Sequence, residues 1–136
     1  MSWMRQRTQE AQLALMFLTR LPAGNLGLNI PELASAVWFF PITGIPIGLF
    51  VGLTYIGTSY LGVLPILASI LALSIGLLIT GALHEDGLAD CADGFGGGRC
   101  KQTKLEIMRD SRIGSFGVLA LIFLMSTFFL LETFLL

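Results

Sequence analysis

Four carboxylates crowd into residues 85–93, which read EDGLADCAD. If this stretch is helical, Asp86, Asp90 and Asp93 occupy positions i, i+4 and i+7 and share one face. Like charges at that spacing repel one another unless water solvates them or a cation is shared among them. Clustered carboxylate oxygens are the ligands that Mg²⁺, Mn²⁺ or Ca²⁺ prefers. The spacing therefore predicts Asp86, Asp90 and Asp93 as metal ligands.

A run of glycines follows the acids directly. Gly94, Gly96, Gly97 and Gly98 surround Phe95. Glycine permits backbone conformations in which successive N–H groups turn toward an anion. We therefore predict a pliable loop in which Gly96, Gly97 and Gly98 contact a substrate phosphate; a simple flexible hinge is the alternative.

Further charged residues follow in LEIMRDSRIGSFG, residues 105–117. Glu106 and Asp110 stand one helical turn apart, with Arg109 and Arg112 beside them. The planar guanidinium fork of arginine matches the geometry of phosphate oxygens. Carboxylates for a metal, backbone donors and arginines are together what phosphoryl transfer requires. The competing interpretation is a solvated connector between two membrane spans.

The elements that must position these residues are apolar helices. Apolar residues make up 54% of the 136-residue chain, and eleven of its seventeen charged residues lie between residues 81 and 112. No charged residue occurs in 33–83. Because a spanning helix needs about 20 mostly apolar residues, this stretch is long enough for two spans. We predict an all-α, polytopic transmembrane bundle with spans at 36–57, 62–83 and 113–131. It forms a single membrane domain over 1–136, with an N-terminal segment (1–32), two spans (33–83), a catalytic loop (84–112) and a third span (113–136).

The first part of the chain is predicted to lie along the membrane surface. Residues 8–21 fit an interfacial helix that turns three polar side chains to water, namely Gln9, Glu10 and Gln12. The alternative is an ordinary leading segment that packs on the helical bundle. In the first span, small residues recur every fourth position at Gly44, Gly48 and Gly52. This spacing predicts a seam for close helix packing, and a homo-oligomer could use the same seam.

Lysine and arginine set the predicted orientation. They occur in the N-terminal segment and in the loop 84–112, and none lies in the turn near Ser59. Cytoplasmic loops are enriched in these residues, so the acidic loop is predicted to be cytoplasmic in a multi-pass protein of the cell inner membrane. The net charge of −1 gives no indication of a nucleic-acid partner.

Five segments together resemble the cobalamin synthase family, the adenosylcobinamide-GDP ribazoletransferases. They are LTRLP (18–22), FPITGIPIG (40–48), HEDGLADCADG (84–94), the glycine run and LEIMRDSRIGSFG (105–117). The resemblance implies a Mg²⁺-dependent membrane enzyme. Its implied reaction joins adenosylcobinamide-GDP to α-ribazole or its 5'-phosphate and releases GMP.

The resemblance also implies roles for individual residues. Asp86, Asp90 and Asp93 would hold Mg²⁺ on the diphosphate, and Asp110 would reach the same centre. Either Asp93 or Asp110 would take the proton of the attacking ribose hydroxyl. The cations that would neutralise the GMP leaving group are Lys104, Arg109 and Arg112.

Members of this family are longer, so the chain is expected to correspond to their N-terminal portion. Two other functions share parts of this pattern. The pattern Asp90, Asp93, Gly94 is similar to that of CDP-alcohol phosphotransferases, although Gly97 and Gly98 stand where an Ala-Arg pair is expected. An ion or metal transporter would require charges within the membrane, and 33–83 has none.

Overall fold

The computed structural model describes residues 3–27 and 30–135, with the backbone alone from residue 132 onward. Five residues of the predicted segments 1–32 and 113–136 lie outside the described residues: Met1, Ser2, Leu28, Asn29 and Leu136. The described chain is all-helical and contains no strand. Its helices are α1 (Trp3–Leu18), α2 (Leu33–Ala36), a 3₁₀ turn (Val37–Phe39), α3 (Phe40–Tyr60), α4 (Pro65–Thr80), α5 (Leu83–Gly97), α6 (Lys101–Ile107) and α7 (Ser115–Leu135). They form two compact units, Met1–Gly81 and Ala82–Leu136.

In the first unit, α3 and α4 pack through small residues of α4. Ala68 and Ala72 are fully buried, and Gly76 lies so close to α3 that an added Cβ would come 3.2 Å from a methyl group of Val51. Small side chains allow two helix backbones to approach, which favours association in a lipid environment. This contact does not use the predicted seam, because a Cβ at Gly44, Gly48 or Gly52 would meet no described atom within 4 Å. The homo-oligomer therefore stays a prediction.

Helix α1 is held in the first unit by a buried carboxylate. Glu10 is only 1% exposed and accepts hydrogen bonds from Trp38 Nε1 at 2.9 Å, Arg7 at 2.8 Å and Gln6 at 3.1 Å. The bond from Trp38 is the main cause that lowers the pKa of Glu10. The prediction that Glu10 faces water was wrong, since burial of a carboxylate is tolerated once its oxygens are satisfied.

The second predicted span does not continue as helix through the acidic segment. Helix α4 ends at Thr80, and the next two residues, Gly81 and Ala82, both adopt left-handed backbone conformations with φ of 67° and 58°. A left-handed residue, most often glycine, is a common helix terminator. A new helix, α5, then begins at Leu83. The acids thus lie on a helix of their own, within the segment 84–112 that was predicted as a loop.

Among the described residues, one stretch of helix is long and apolar enough to cross a bilayer, Leu33–Tyr60. The number rises to two when Pro65–Thr80 and Leu83–Gly97 are counted together as one broken span. The third predicted span is also helical, and its apolar part covers Ser115–Leu131. These findings agree with an association with membranes, and the three-span bundle stays a prediction.

In the second unit, α5 is tied to the start of α7 by Asp93. The two carboxylate oxygens of Asp93 accept hydrogen bonds from the backbone N–H groups of Gly114 at 2.7 Å and Gly117 at 2.8 Å. The first N–H groups of a helix have no partner within the helix and attract negative charge. Asp93, which is 8% exposed, supplies both the hydrogen-bond acceptors and the negative charge. A Cβ on either glycine would collide with its carboxylate.

Replacing Asp93 should therefore cost stability. We expect Asp93→Ala to lower the free energy of unfolding by about 2–3 kcal/mol, because the buried N–H of Gly117 loses its charged acceptor. Asp90→Ala is the matched control on the same helix; its carboxylate has no partner among the described residues, and a change within about 0.5 kcal/mol is expected. Unfolding in mixed detergent micelles, followed by circular dichroism, measures both. Equal losses in the two variants would contradict the structural role of Asp93.

Candidate active site

The second unit contains a cavity with an acidic wall, called here the acid cavity. Its volume is about 240 Å³. Helix α5 contributes one side, and the turn between α6 and α7 contributes the other. Its lining residues are Asp86, Ala89, Asp90, Met108, Arg109, Asp110, Ser111, Arg112 and Ile113. Two separate predicted motifs, the acids of 84–94 and the charged stretch 105–117, thus meet at one place.

Two of the three predicted metal ligands belong to the acid cavity. Asp86 is exposed and Asp90 is half-buried. They lie one turn apart on α5, as the i, i+4 spacing predicts. Within the described part of the chain, neither carboxylate accepts a hydrogen bond or forms an ion pair. Two neighbouring carboxylates without a partner are available to a ligand.

Asp110 is already engaged. Its oxygens accept two hydrogen bonds from Arg112 Nε, both at 3.1 Å, and one from an Arg112 terminal nitrogen at 2.7 Å. The backbone N–H of Arg112 donates a further bond to the same carboxylate. The guanidinium of Arg112 holds the pKa of Asp110 below its ordinary value of 3.8, so this carboxylate is ionised at neutral pH. Arg109, by contrast, lines the cavity without an ion-pair partner in the described chain.

Asp93 is not among the lining residues of the acid cavity. Its oxygens are directed at the N-terminus of α7, and the described residues include no group of three or more His, Cys, Asp or Glu side chains placed to hold a metal ion. The structure thus does not assemble Asp86, Asp90 and Asp93 as one three-carboxylate site. Asp93 does lie two turns along the same helix as Asp86, but its carboxylate oxygens are taken by the N–H groups of Gly114 and Gly117.

The glycine run does not form the predicted loop. Gly94, Gly96 and Gly97 lie inside α5, and Gly98 caps its end by donating its N–H to the carbonyl of Gly94. Their absent side chains allow close packing: a Cβ at Gly94 would clash with Met108, and one at Gly96 with the ring of Phe116. The prediction of a pliable phosphate-binding loop at Gly96, Gly97 and Gly98 is corrected to helix packing, because their N–H groups are committed to helical turns.

Lys104 lies apart from the two predicted arginines. It lines a second cavity of about 410 Å³, called here the cationic cavity, whose lining residues are Phe95, Arg99, Lys101, Lys104, Leu105 and Met108. Sequence reasoning singled out Lys104 but missed Arg99 and Lys101. The available clue was the basic spacing of RCKQTK at 99–104, which gathers three cations around a single short helix.

The acid cavity has the chemistry of a metal-assisted phosphate site. Mg²⁺ is commonly bound by one or two carboxylates together with substrate phosphates, while water fills the other positions. The unpaired carboxylates of Asp86 and Asp90 fit such a site without a third acidic ligand. Arg109 adds a free cation on the opposite wall, where it can meet phosphate oxygens.

The comparisons with known proteins identify the family. The model of the family described as cobalamin-5-phosphate synthase matches residues 10–135. Among similar proteins, the adenosylcobinamide-GDP ribazoletransferase of Bradyrhizobium diazoefficiens is 53% identical over 83% of this chain and 44% of its own length. The proteins of the same name from Mesorhizobium japonicum and Ralstonia nicotianae are 44% and 42% identical over 86% and 88% of this chain, and over 45% and 47% of their own lengths. No solved structure matches.

The chain spans less than half the length of the curated relatives it matches. Within that part, the match covers both predicted motifs and the two units described above. The chain therefore belongs to the cobalamin-5-phosphate synthase family.

Proposed function

We propose that this protein transfers the adenosylcobinamide-phosphate group of adenosylcobinamide-GDP to α-ribazole or its 5'-phosphate, with release of GMP. The observation that carries the proposal is the acid cavity, in which two unpaired carboxylates of α5 face Arg109 and Asp110. The names of the relatives support the same reaction. They do not favour the CDP-alcohol phosphotransferase alternative.

The proposed cofactor is Mg²⁺, held by Asp86 and Asp90. When bound, it would neutralise charge on the diphosphate of adenosylcobinamide-GDP. The fit rests on the donor chemistry of the cavity: two carboxylates without partners, which would repel one another in the absence of a cation. Asp93 is left out of this ligand set, because both of its oxygens already accept backbone N–H groups.

The reaction forms a bond between a ribose oxygen of the acceptor and the cobinamide-side phosphorus. The bond from that phosphorus to the GMP oxygen breaks, and the ribose hydroxyl loses its proton. Arg109 neutralises the charge that develops on GMP. Asp93 and Asp110 were the two predicted bases. Asp110 lines the acid cavity and Asp93 does not, so Asp110 is the residue that receives the proton.

We further propose that the protein is a multi-pass protein of the inner membrane with its acidic loop in the cytoplasm. The distribution of lysine and arginine supports this orientation. In the second unit, Cys91 and Cys100 are both free and exposed, so they report on the sidedness of the loop.

Thiol labelling tests the orientation. A membrane-impermeant maleimide should label Cys100 in inverted inner-membrane vesicles and leave it unlabelled in intact spheroplasts. The hydrogen bond with Thr103 lowers the pKa of the Cys100 thiol, which increases its thiolate fraction and speeds labelling. The measurement uses Cys91→Ser, which leaves Cys100 as the remaining cysteine of the sequence, and the Cys91→Ser, Cys100→Ser double variant is the blank. Labelling from the outer face alone would reverse the proposed topology.

Turnover tests the reaction itself. The chain, adenosylcobinamide-GDP, α-ribazole 5'-phosphate and Mg²⁺ are combined, and GMP and the joined corrinoid are measured by mass spectrometry. Asp86→Asn and Asp90→Asn should each reduce GMP release by at least about tenfold. Even the loss of a residue that only supports a metal ligand typically costs about 10- to 100-fold. Glu106→Gln, an exposed acid of α6 outside the cavity, should leave the rate within about twofold of the unaltered chain.

Full turnover in the Asp86→Asn, Asp90→Asn double variant would show that neither residue holds the metal ion. Conversion of CDP-diacylglycerol and an alcohol, with none of the corrinoid, would favour the lipid enzyme over the proposed function.

A further inference from the structure

The cationic cavity has no acid among its lining residues. Its charged members are Arg99, Lys101 and Lys104, and its remaining members are Phe95, Leu105 and Met108. Its volume of about 410 Å³ lies at the smaller end of small-molecule pockets, which range from about 300 to 1,000 Å³. The acid cavity, whose wall carries three carboxylates, shares Met108 with it.

The cations of this cavity are available to an anion. Arg99 and Lys101 are exposed, and neither forms an ion pair with any described residue. Lys104 Nζ lies 4.7 Å from the centre of the Phe95 ring, a cation–π contact that a phosphate could replace at small cost. Three positive side chains without a counter-charge repel one another, so binding of an anion would relieve that repulsion.

The wall beneath the cations is apolar and partly aromatic. The ring of Phe95 is 66% exposed and Leu105 is 41% exposed. Exposed phenylalanine rings offer a flat surface on which another aromatic ring can stack, and the sulfur of a methionine such as Met108 packs well against ring edges. The cavity therefore combines a place for a flat apolar ring with charges suited to a phosphate.

We infer that the cationic cavity binds a phosphate monoester joined to an apolar aromatic ring. This inference rests on the proposed function for the identity of that ligand, which is the acceptor α-ribazole 5'-phosphate. The ring would contact Phe95 and Met108, and the 5'-phosphate would contact Arg99, Lys101 and Lys104. GMP is a poorer match, because guanine presents several polar edge atoms and the wall offers no hydrogen-bonding group besides the cations.

The two cavities would then bind different phosphate groups, the donor diphosphate in the acid cavity and the acceptor phosphate in the cationic cavity. A phosphate monoester brought to the acid cavity would face unpaired carboxylates, whereas in the cationic cavity it meets only positive side chains. The donor diphosphate, accompanied by a divalent ion, suits the acid cavity. Met108 then separates the acceptor from the donor, and the site prefers the phosphorylated acceptor over free α-ribazole.

Binding without turnover tests the inference. The full chain in phosphatidylcholine nanodiscs is titrated with α-ribazole 5'-phosphate by calorimetry in EDTA, so that the proposed metal site plays no part. We expect α-ribazole, which lacks the phosphate, and ribose 5-phosphate, which lacks the ring, each to bind at least about tenfold more weakly. GMP should also bind more weakly than α-ribazole 5'-phosphate.

Variants locate the binding. Lys101→Gln combined with Arg99→Gln, and separately Phe95→Leu, should weaken α-ribazole 5'-phosphate at least about tenfold. The matched controls are Arg5→Gln, an exposed arginine of α1, and Phe123→Leu, an exposed phenylalanine of α7; both should bind like the unaltered chain. Because Arg99, Lys101 and Phe95 are exposed, their replacement leaves the packing of the helices in place.

The outcomes separate this inference from the proposed function. If the Phe95 and Lys101 variants bind α-ribazole 5'-phosphate as tightly as the unaltered chain, the cationic cavity is not the acceptor site. The same conclusion follows if the unaltered chain binds phosphatidylglycerol but shows no measurable binding of α-ribazole 5'-phosphate. Binding with the expected variant pattern but no Asp90-dependent release of GMP would support the cavity and defeat the proposed reaction.

Discussion

The two hydrogen bonds from the start of α7 to the Asp93 carboxylate determine the arrangement of the second unit. They connect residues 21 and 24 positions apart in the chain and satisfy N–H groups that a helix leaves without partners at its first turn. By fixing α5 against the start of α7, they bring the turn that carries Arg109 and Asp110 to the face of α5 that carries Asp86 and Asp90. Both carboxylate oxygens of Asp93 are occupied by this contact.

The acids of the second unit consequently differ in what they can do. Asp93 is satisfied by backbone N–H groups and Asp110 is paired with Arg112. Asp86 and Asp90, which both line the acid cavity, lack a partner among the described residues. The same neighbourhood separates its cations, with Arg109 and Arg112 on the acid cavity and Lys104 on the cationic cavity. We propose that this division of charge matches a two-substrate phosphoryl transfer, in which a diphosphate donor and a phosphate-bearing acceptor need surroundings of opposite sign.

Local features of the chain were predictable from sequence. The i, i+4 spacing correctly placed Asp86 and Asp90 together on a helix, and the hydropathy pattern predicted the apolar helices 36–57, 62–83 and 113–131 to within a few residues. What sequence could not provide were contacts between distant segments. The amides that capture Asp93 belong to Gly114 and Gly117, and these look like ordinary small residues until α7 is docked. Likewise, Gly96 appeared pliable because the ring of Phe116, which excludes a side chain there, is twenty residues away in the chain. Glu10 was assigned to water for the same reason, since its partner Trp38 lies across a connector.

Amide hydrogen exchange at Gly117 tests the central contact most directly. If Asp93 holds this N–H in the buried bond described here, Gly117 should exchange at least about tenfold more slowly than in Asp93→Ala. That protection should persist when Mg²⁺ and inorganic diphosphate are added, because the ion is proposed to use Asp86 and Asp90. Rapid exchange at Gly117 in the unaltered chain, or loss of its protection on addition of Mg²⁺ and diphosphate, would show that Asp93 serves the metal and would contradict the account.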